Sequence, residues 1–246
     1  MSPRVAVVTP YHREPEPFLD ACLRSVRAQT HPVTHYLVAD GFPSPFAATS
    51  PGVRHVVLPE AHGDCGDAAR AVGTTMAISE GCEVVTYLDA DNWIDPDHVA
   101  SLVALASAAA APACVASRSL HRLDGSLLDP RGEPADGRDH VDTSCLFLAG
   151  PALRVALVWG FIPAHLHPVD DRIVWAALRA LGVRIARRTT PSVRYRTAYR
   201  VHYEERGEPA PPGAKGHEPV LRALAAWNAL SPTERGRMFL PLGLRF

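Results

Sequence analysis

Within its first ninety residues the chain alternates short apolar runs with amphipathic ones, and nothing else in it restricts the fold as strongly. Val5 to Thr9 (VAVVT) is β-branched and apolar throughout, as in a strand covered on both faces, and Pro10 is expected to end it. Pro17 suits the first helical position, and Phe18, Leu19, Cys22, Leu23 and Val26 recur at helical spacing to about Ala28. HYLVAD, residues 35–40, reads as a second strand. Strand, helix and strand within about forty residues make a βαβ unit, which forces parallel pairing and a right-handed crossover. After a Pro/Ser/Gly-rich loop from Phe42 to Gly52, RHVVLP from Arg54 is a third strand. Asp67 to Ile78 is a helix, and EVVTYLDAD from Glu83 a fourth strand. The fold class is therefore α/β, with a mostly parallel central sheet flanked by helices in a single domain. Open parallel sheets bind ligands at the C-terminal ends of their strands. There the chain places Pro10 to Arg13, Asp40, and Asp89 with Asp91.

The second half is less regular. Asp95, Pro96 and Asp97 read as a helix start, with the helix running to about Ala111. Ala116 to Asp142 is polar and Gly/Pro-rich, expected to be a long loop or hairpin. SCLFLAG, residues 144–150, is a strand, Val169 to Leu181 a helix, and VRIARR, residues 183–188, a further strand. A linker, GEPAPPGAKGHEP, precedes a last helix from Val220 to Leu230. The tail RMFLPLGLRF is apolar with Arg residues; packing on its own domain is the default over docking to a membrane surface or a second subunit.

Composition narrows the partners. At 246 residues, 47% apolar and 21% charged, the chain can bury a sizeable core. Its formal net charge of −1 argues against a general nucleic-acid binder. The N-terminus, MSPRVAVVTPYH, reads as neither a secretory signal nor an anchor. No segment reaches the roughly 18 consecutive apolar residues of a membrane span. Cys22, Cys65, Cys82, Cys114 and Cys145 are odd in number and lack CxxC spacing, which speaks against a disulfide framework and a structural zinc site; a cytoplasmic location is expected.

The chemistry-bearing stretch is YLDADNWIDPDH, residues 87–98. Carboxylates on a strand end must face water or meet a cation, and residues two apart on extended chain point the same way. Asp89 and Asp91 thus suit a hard divalent ion, Mg²⁺ or Mn²⁺, bridged to a diphosphate. The alternative is a set of solvated acids ahead of a helix. Asp170 and Asp171, ahead of an amphipathic helix, read by themselves as acids favoured by a helix N-terminus. His202, a lone histidine, reads by itself as an ordinary surface or core residue. Arg194, Arg196 and Arg200 suit a diphosphate or an anionic acceptor, or else a solvated strand face.

Four motifs in order over residues 4–98 resemble the family 2 glycosyltransferases of the GT-A fold. These are TPYHREPEPFLDACLRSVRAQTH with its LRSVRAQT core, LVADGF, HGDCGDAARAVGTTMAISEG, and YLDADN, which is similar to the family's DxD. The resemblance implies a Rossmann-like nucleotide-sugar-binding half at 1–98, an acceptor-binding and catalytic half at 99–206, and a linker with C-terminal helix and tail at 207–246, all within one compact domain. It implies donor contacts at Thr9, Pro10, Tyr11, Arg13, Asp40, Asp64, Arg70, Asp89 and Ala90, with metal ligation by Asp91, Asp89 and His202. The catalytic base would be Asp171, or Asp170 beside it. The expected reaction is inverting, metal-dependent transfer of a hexosyl group from a UDP- or GDP-linked donor, UDP favoured, to a hydroxyl on a soluble acceptor or glycan, with a homodimer as a candidate assembly. Three rivals stand beside it. A HAD-like phosphohydrolase also uses a strand-end DxD, but here Asn92 and Trp93 follow the second Asp. A sugar nucleotidyltransferase would want a Gly-rich loop where TPYHRE stands. The third is a non-catalytic nucleotide-sugar-binding subunit.

Overall fold

The structure is a computed structural model that describes residues 2–130 and 140–243. β1 (Val5–Tyr11) leads through α1 (Glu16–Arg27) to β2 (Val33–Ala39), and a short α2 (Pro45–Thr49) precedes β3 (Val53–Val57). α3 (Asp67–Ser79) crosses to β4 (Val84–Tyr87), and a two-residue β5 (Trp93–Ile94) precedes α4 (His98–Ala109). β6 (Ala113–His121) and β7 (Leu127–Asp129) form a hairpin, and β8 (Leu146–Ala149) follows. Two 3-10 stretches, Gly150–Phe161 and Ala164–Val169, lead into α5 (Asp170–Ala180), β9 (Ile185–Arg196) and α6 (Arg200–Glu204). α7 (Glu218–Ala229), α8 (Pro232–Met238) and a 3-10 turn (Leu240–Leu242) close the described chain.

The described strands form a single nine-stranded sheet in the order β3-β2-β1-β4-β8-β6-β9-β5, with β7 added on β6. It is parallel from β3 to β4, as the βαβ pattern requires, and turns antiparallel where β8 pairs with β4. The largest cluster of buried apolar side chains runs from Val5 through Phe147 and Trp175 to Trp227 and Phe239, so both halves share one core. Phe239 is fully buried, which seats the C-terminal tail on its own domain. Among the described residues no helix is long and apolar enough to cross a membrane.

Several expectations need correction. β1 does not stop at Pro10 but pairs with β2 as far as Tyr11↔Ala39. The Asp40 amide donates to the Tyr11 carbonyl, so the Pro10 nitrogen faces the other side, where the β1–β4 ladder has already ended at Val8↔Tyr87. The 42–52 loop holds α2, started by Ser44, whose hydroxyl accepts from the Ala47 amide, and by Pro45. Asp95 does not cap α4. Its two oxygens take Nε and Nη2 of Arg194 at 2.9 and 2.8 Å, and the helix begins at His98. A bidentate partner on the neighbouring β9 outcompetes a helix amide. The polar stretch from Ala116 carries strand to His121, and residues 131–139 of the expected loop lie outside the described residues.

Candidate active site

β1, β2 and β4 end along one edge of the sheet. Their C-terminal ends, the N-termini of α3 and α5, and the segment before α7 enclose a cavity of about 830 Å³. Asp40, at the end of β2, lies on one side. Burial alone would raise its pKa, but the amides of His62 and Gly63 and the His62 imidazole outweigh that and hold it below the usual carboxylate range. Gly41 follows at φ +76, and a Cβ there would stand 2.3 Å from the Ala61 nitrogen, so only glycine lets that loop close over Asp40. Asp64 accepts from the amides of Gly66 and Ala68 at 3.0 and 2.8 Å, which satisfies donors at the start of α3. A Cβ on Gly66, which sits at φ +93, would stand 3.0 Å from the Pro10 side chain.

Asp89 and Asp91 sit in the turn after β4, where the Asn92 amide donates to the Asp89 carbonyl. Asn92 is fully buried, and its Oδ1 accepts from the Arg196 amide at 2.7 Å. The Arg196 guanidinium donates to the Asp91 carbonyl, so the end of β9 clamps the turn. The two carboxylates then diverge. Asp89 Oδ1 takes Nη2 of Arg70 at 2.7 Å, whereas among the described residues no side chain or amide donates to the Asp91 carboxylate. Burial, with Asp89 and then Glu14 nearby, pushes Asp91 up to about 7, against the opposing charge of Lys215.

Arg70 is the hub of the opposite wall. The residue is 4% exposed, and its guanidinium donates to Asp89 and to the Cys65 carbonyl. It also lies 3.4 Å from Asp170 Oδ2 and 3.7 Å from Asp67 Oδ1. Burial first, offset in part by Arg70, raises Asp67 to about 7. Burial and the neighbouring Asp67 raise Asp170 well above the carboxylate range. Asp170 is thus tied up within the wall, its Oδ1 also accepting from the Asp171 amide at 2.6 Å. Asp171 lines the cavity and pairs with no cation among the described residues.

The model of the glycosyl transferase family 2 matches residues 6–134, more than half of the chain. The chain belongs to glycosyl transferase family 2. The resemblance seen in the first hundred residues is therefore borne out, and the phosphohydrolase and nucleotidyltransferase rivals fall away. No curated protein sequence matches this glycosyltransferase. In fold it resembles Staphylococcus aureus TarS 1–349 in complex with UDP, at 12% identity and a TM-score of 0.62 over 97% of this chain and 70% of that one. The same TarS fragment with UDP-GlcNAc superposes at a TM-score of 0.56 and 12% identity, over 97% and 71% of the two chains. Full TarS superposes at 0.60 and 13%, over 97% of this chain and 42% of that one. At these identities the likeness bears on the fold, a GT-A arrangement as the motifs implied.

Of the candidate residues in this glycosyltransferase, the cavity gathers Pro10, Tyr11, Asp40, Asp64, Arg70, Asp89, Ala90, Asp91, Asp170 and Asp171. Thr9, Arg13 and His202 do not line it. Thr9 is fully buried with its hydroxyl 2.8 Å from His35 Nε2, and Arg13 is exposed with its guanidinium over the Phe42 ring. His202 Nδ1 lies 2.6 Å from Thr197 Oγ1, and among the described residues no three His, Cys, Asp or Glu side chains form a metal-sized cluster. Arg194 and Arg196 are spent on Asp95 and the Asp91 turn, and Arg200 lies outside the lining. Sequence reasoning missed Asp67, Asp142, His167, Tyr195, Tyr199 and Lys215. Asp142 pairs with buried Arg118 and caps the Thr143–Cys145 turn. Lys215, the one lysine in the sequence, is carried to the cavity mouth by a bridge to Tyr199. That singularity was the one available signal for it. Asp67 and His167 sit 100 residues apart in an ordinary-looking helix and loop, and no local pattern marks them.

Proposed function

We propose that the chain transfers a hexosyl group from a nucleotide-diphosphate sugar, UDP-linked by preference, to a hydroxyl of a small soluble acceptor or glycan, with inversion and with a divalent cation. The observation that carries the reading is Asp91. A cavity-lining carboxylate without a donor among the described residues, raised to about 7 by burial and by Asp89, calls for a cation. The donor set fits a hard ion, since Mg²⁺ and Mn²⁺ take one or two carboxylates and complete their shell with water and phosphate oxygens. Asp91 would hold the ion, with the Asp89 oxygen that Arg70 leaves unused; His202 has no part in this reading. Bound there, the ion would neutralise charge on the departing diphosphate. The UDP and UDP-GlcNAc complexes of TarS support the donor class.

This chain's own groups supply the rest. Lys215 brings a cation to the same side of the cavity, suited to phosphate oxygens. Asp171 is the general base. It is a carboxylate at the start of α5 that lines the cavity with no competing cation among the described residues, while Asp170 is held within the wall by Arg70 and Asp67. An attack from the Asp171 side, opposite the diphosphate, inverts the anomeric centre. A cavity of about 830 Å³ is within the size range of small-ligand sites.

A thermal-shift panel of UDP, GDP, dTDP and CMP with and without Mn²⁺, on the wild type and Asp91→Ala, tests the reading. One diphosphate should raise the melting temperature only with metal and only in the wild type. A wild type indifferent to every nucleotide would sink the assignment, and metal-dependent binding without transfer or donor hydrolysis would favour the non-catalytic subunit.

A further inference from the structure

The geometry points to His167 as a residue that reads the donor sugar, held for that task by the buried carboxylate of Asp67. The inference rests on the transferase reading above and deepens it.

His167 lies in the 3-10 stretch just before α5, followed by Pro168, and it lines the cavity four residues ahead of Asp171. Its Nδ1 lies 2.6 Å from Asp67 Oδ2, and with hydrogen on Nδ1 the ring donates to that carboxylate. Asp67 opens α3 and is 1% exposed, so this bond is made out of water between two elements 100 residues apart in sequence. Holding Nδ1 in this way fixes the ring and its tautomer. It leaves Nε2, which bonds to no described residue, for the cavity. The Arg70 guanidinium stands 3.7 Å from Asp67 Oδ1, beyond hydrogen-bond reach, so the His167 ring is the group that Oδ2 of this buried carboxylate holds.

The charge distribution along the cavity says what Nε2 would meet. The diphosphate belongs where the uncompensated charges are, at Asp91 with its cation and at Lys215. The sugar is bonded to that diphosphate on one side and must present its reacting carbon to Asp171 on the other, which places it against Asp89, Arg70, Asp170 and His167. On this wall Arg70 is spent on Asp89 and Asp170, and His167 is bonded to Asp67, so it suits hydroxyl or amide groups rather than phosphate. His167 is thus a specificity residue, and Asp67 a positioning residue that acts through it.

The test compares dissociation constants by calorimetry with Mn²⁺ for UDP, GDP and dTDP and for UDP-glucose, UDP-GlcNAc, GDP-mannose and dTDP-glucose. The proteins are the wild type, His167→Ala, His167→Gln and Asp67→Asn. For the nucleotide that binds, His167→Ala should leave the bare diphosphate within about twofold and weaken at least one sugar conjugate about tenfold, the scale of one hydrogen bond. His167→Gln, which keeps a side-chain donor, should recover part of the loss. Asp67→Asn should follow His167→Ala, and in ¹⁵N spectra the His167 ring should lose its Nδ1–H tautomer. Equal weakening of diphosphate and conjugate, or no change in either, overturns the assignment to the sugar while leaving the transferase reading standing. A wild type that binds none of the nucleotides overturns both.

Discussion

The two walls of the cavity treat their carboxylates in opposite ways. On the wall built by α3 and α5, Asp67, Asp89 and Asp170 crowd around one buried guanidinium, with His167 on the far side of Asp67. Asp91, only two residues beyond Asp89 in the same turn, lines the cavity with no donor to its carboxylate among the described residues. In the first arrangement the side chains hold one another, through the guanidinium and through carboxyls whose burial makes them keep their protons more tightly. The second is incomplete without a cation. The difference separates a wall shaped to orient a neutral group from a wall shaped to gather negative charge, and neighbouring letters of one motif serve both.

The comparison breaks most visibly at Asp91. Asp91→Ala is expected to remove metal-dependent nucleotide binding and to lower turnover by about 10³-fold or more, the scale of losing a metal's charge stabilisation. Transfer or donor hydrolysis that survives within about tenfold would mean that the unpartnered carboxylate does not hold the cation. At the helix α5 end, Asp171→Asn should cost about 10² to 10⁴ in kcat with little change in nucleotide affinity. Asp170→Asn should act chiefly on stability. Reversed behaviour of that pair would reassign the base.

Arg70→Met attacks the compensated wall. It should destabilise the fold by about 3–5 kcal/mol in urea denaturation, since it strands three buried or half-buried carboxylates. Adding Asp89→Asn should restore part of that loss if the pairing is what matters. Variants without their ion pair that melt like the wild type would refute the hub.

A pH series sharpens the contrast. With its folded pKa about 7 against 3.8 for the unfolded chain, Asp91 binds more protons when folded between those values. Its contribution to stability is therefore full below about pH 4 and is lost as pH rises through about 7. In metal-free protein, the stability of the wild type minus that of Asp91→Asn should fall over this window. Mn²⁺ affinity should rise over the same window, because the ligand must be deprotonated. A flat difference would show that Asp91 is an ordinary solvated acid. The smallest effect is expected from Lys215→Met, a weakening of UDP binding by about tenfold or less that fades in high salt, as an exposed charge should.

The first half of the fold was legible because its strands are short and β-branched, its helices are amphipathic, and parallel βαβ units leave few ways to connect them. The departures arose where a distant partner overrode a local preference. Asp95 prefers Arg194 to a helix amide, and Pro10 continues a strand because β4 has already turned away. Of the candidate site, the residues in motifs next to strand ends reached the cavity. Thr9, Arg13 and His202 did not, since a residue one step off the edge, or beyond a further strand, can face the core, solvent or its own neighbours instead.

The sequence by itself determined the α/β class, the strand edge where chemistry gathers, and the carboxylates of the Asp89–Asp91 turn and the start of α5, because periodicity and turn chemistry are local. Only the tertiary structure decided which of those carboxylates are compensated. Whether Arg70 reaches Asp89 and Asp170, whether His167 reaches Asp67, and whether Asp91 is left without a donor depend on contacts that span up to 100 residues. Burial makes each of those contacts, or its absence, count.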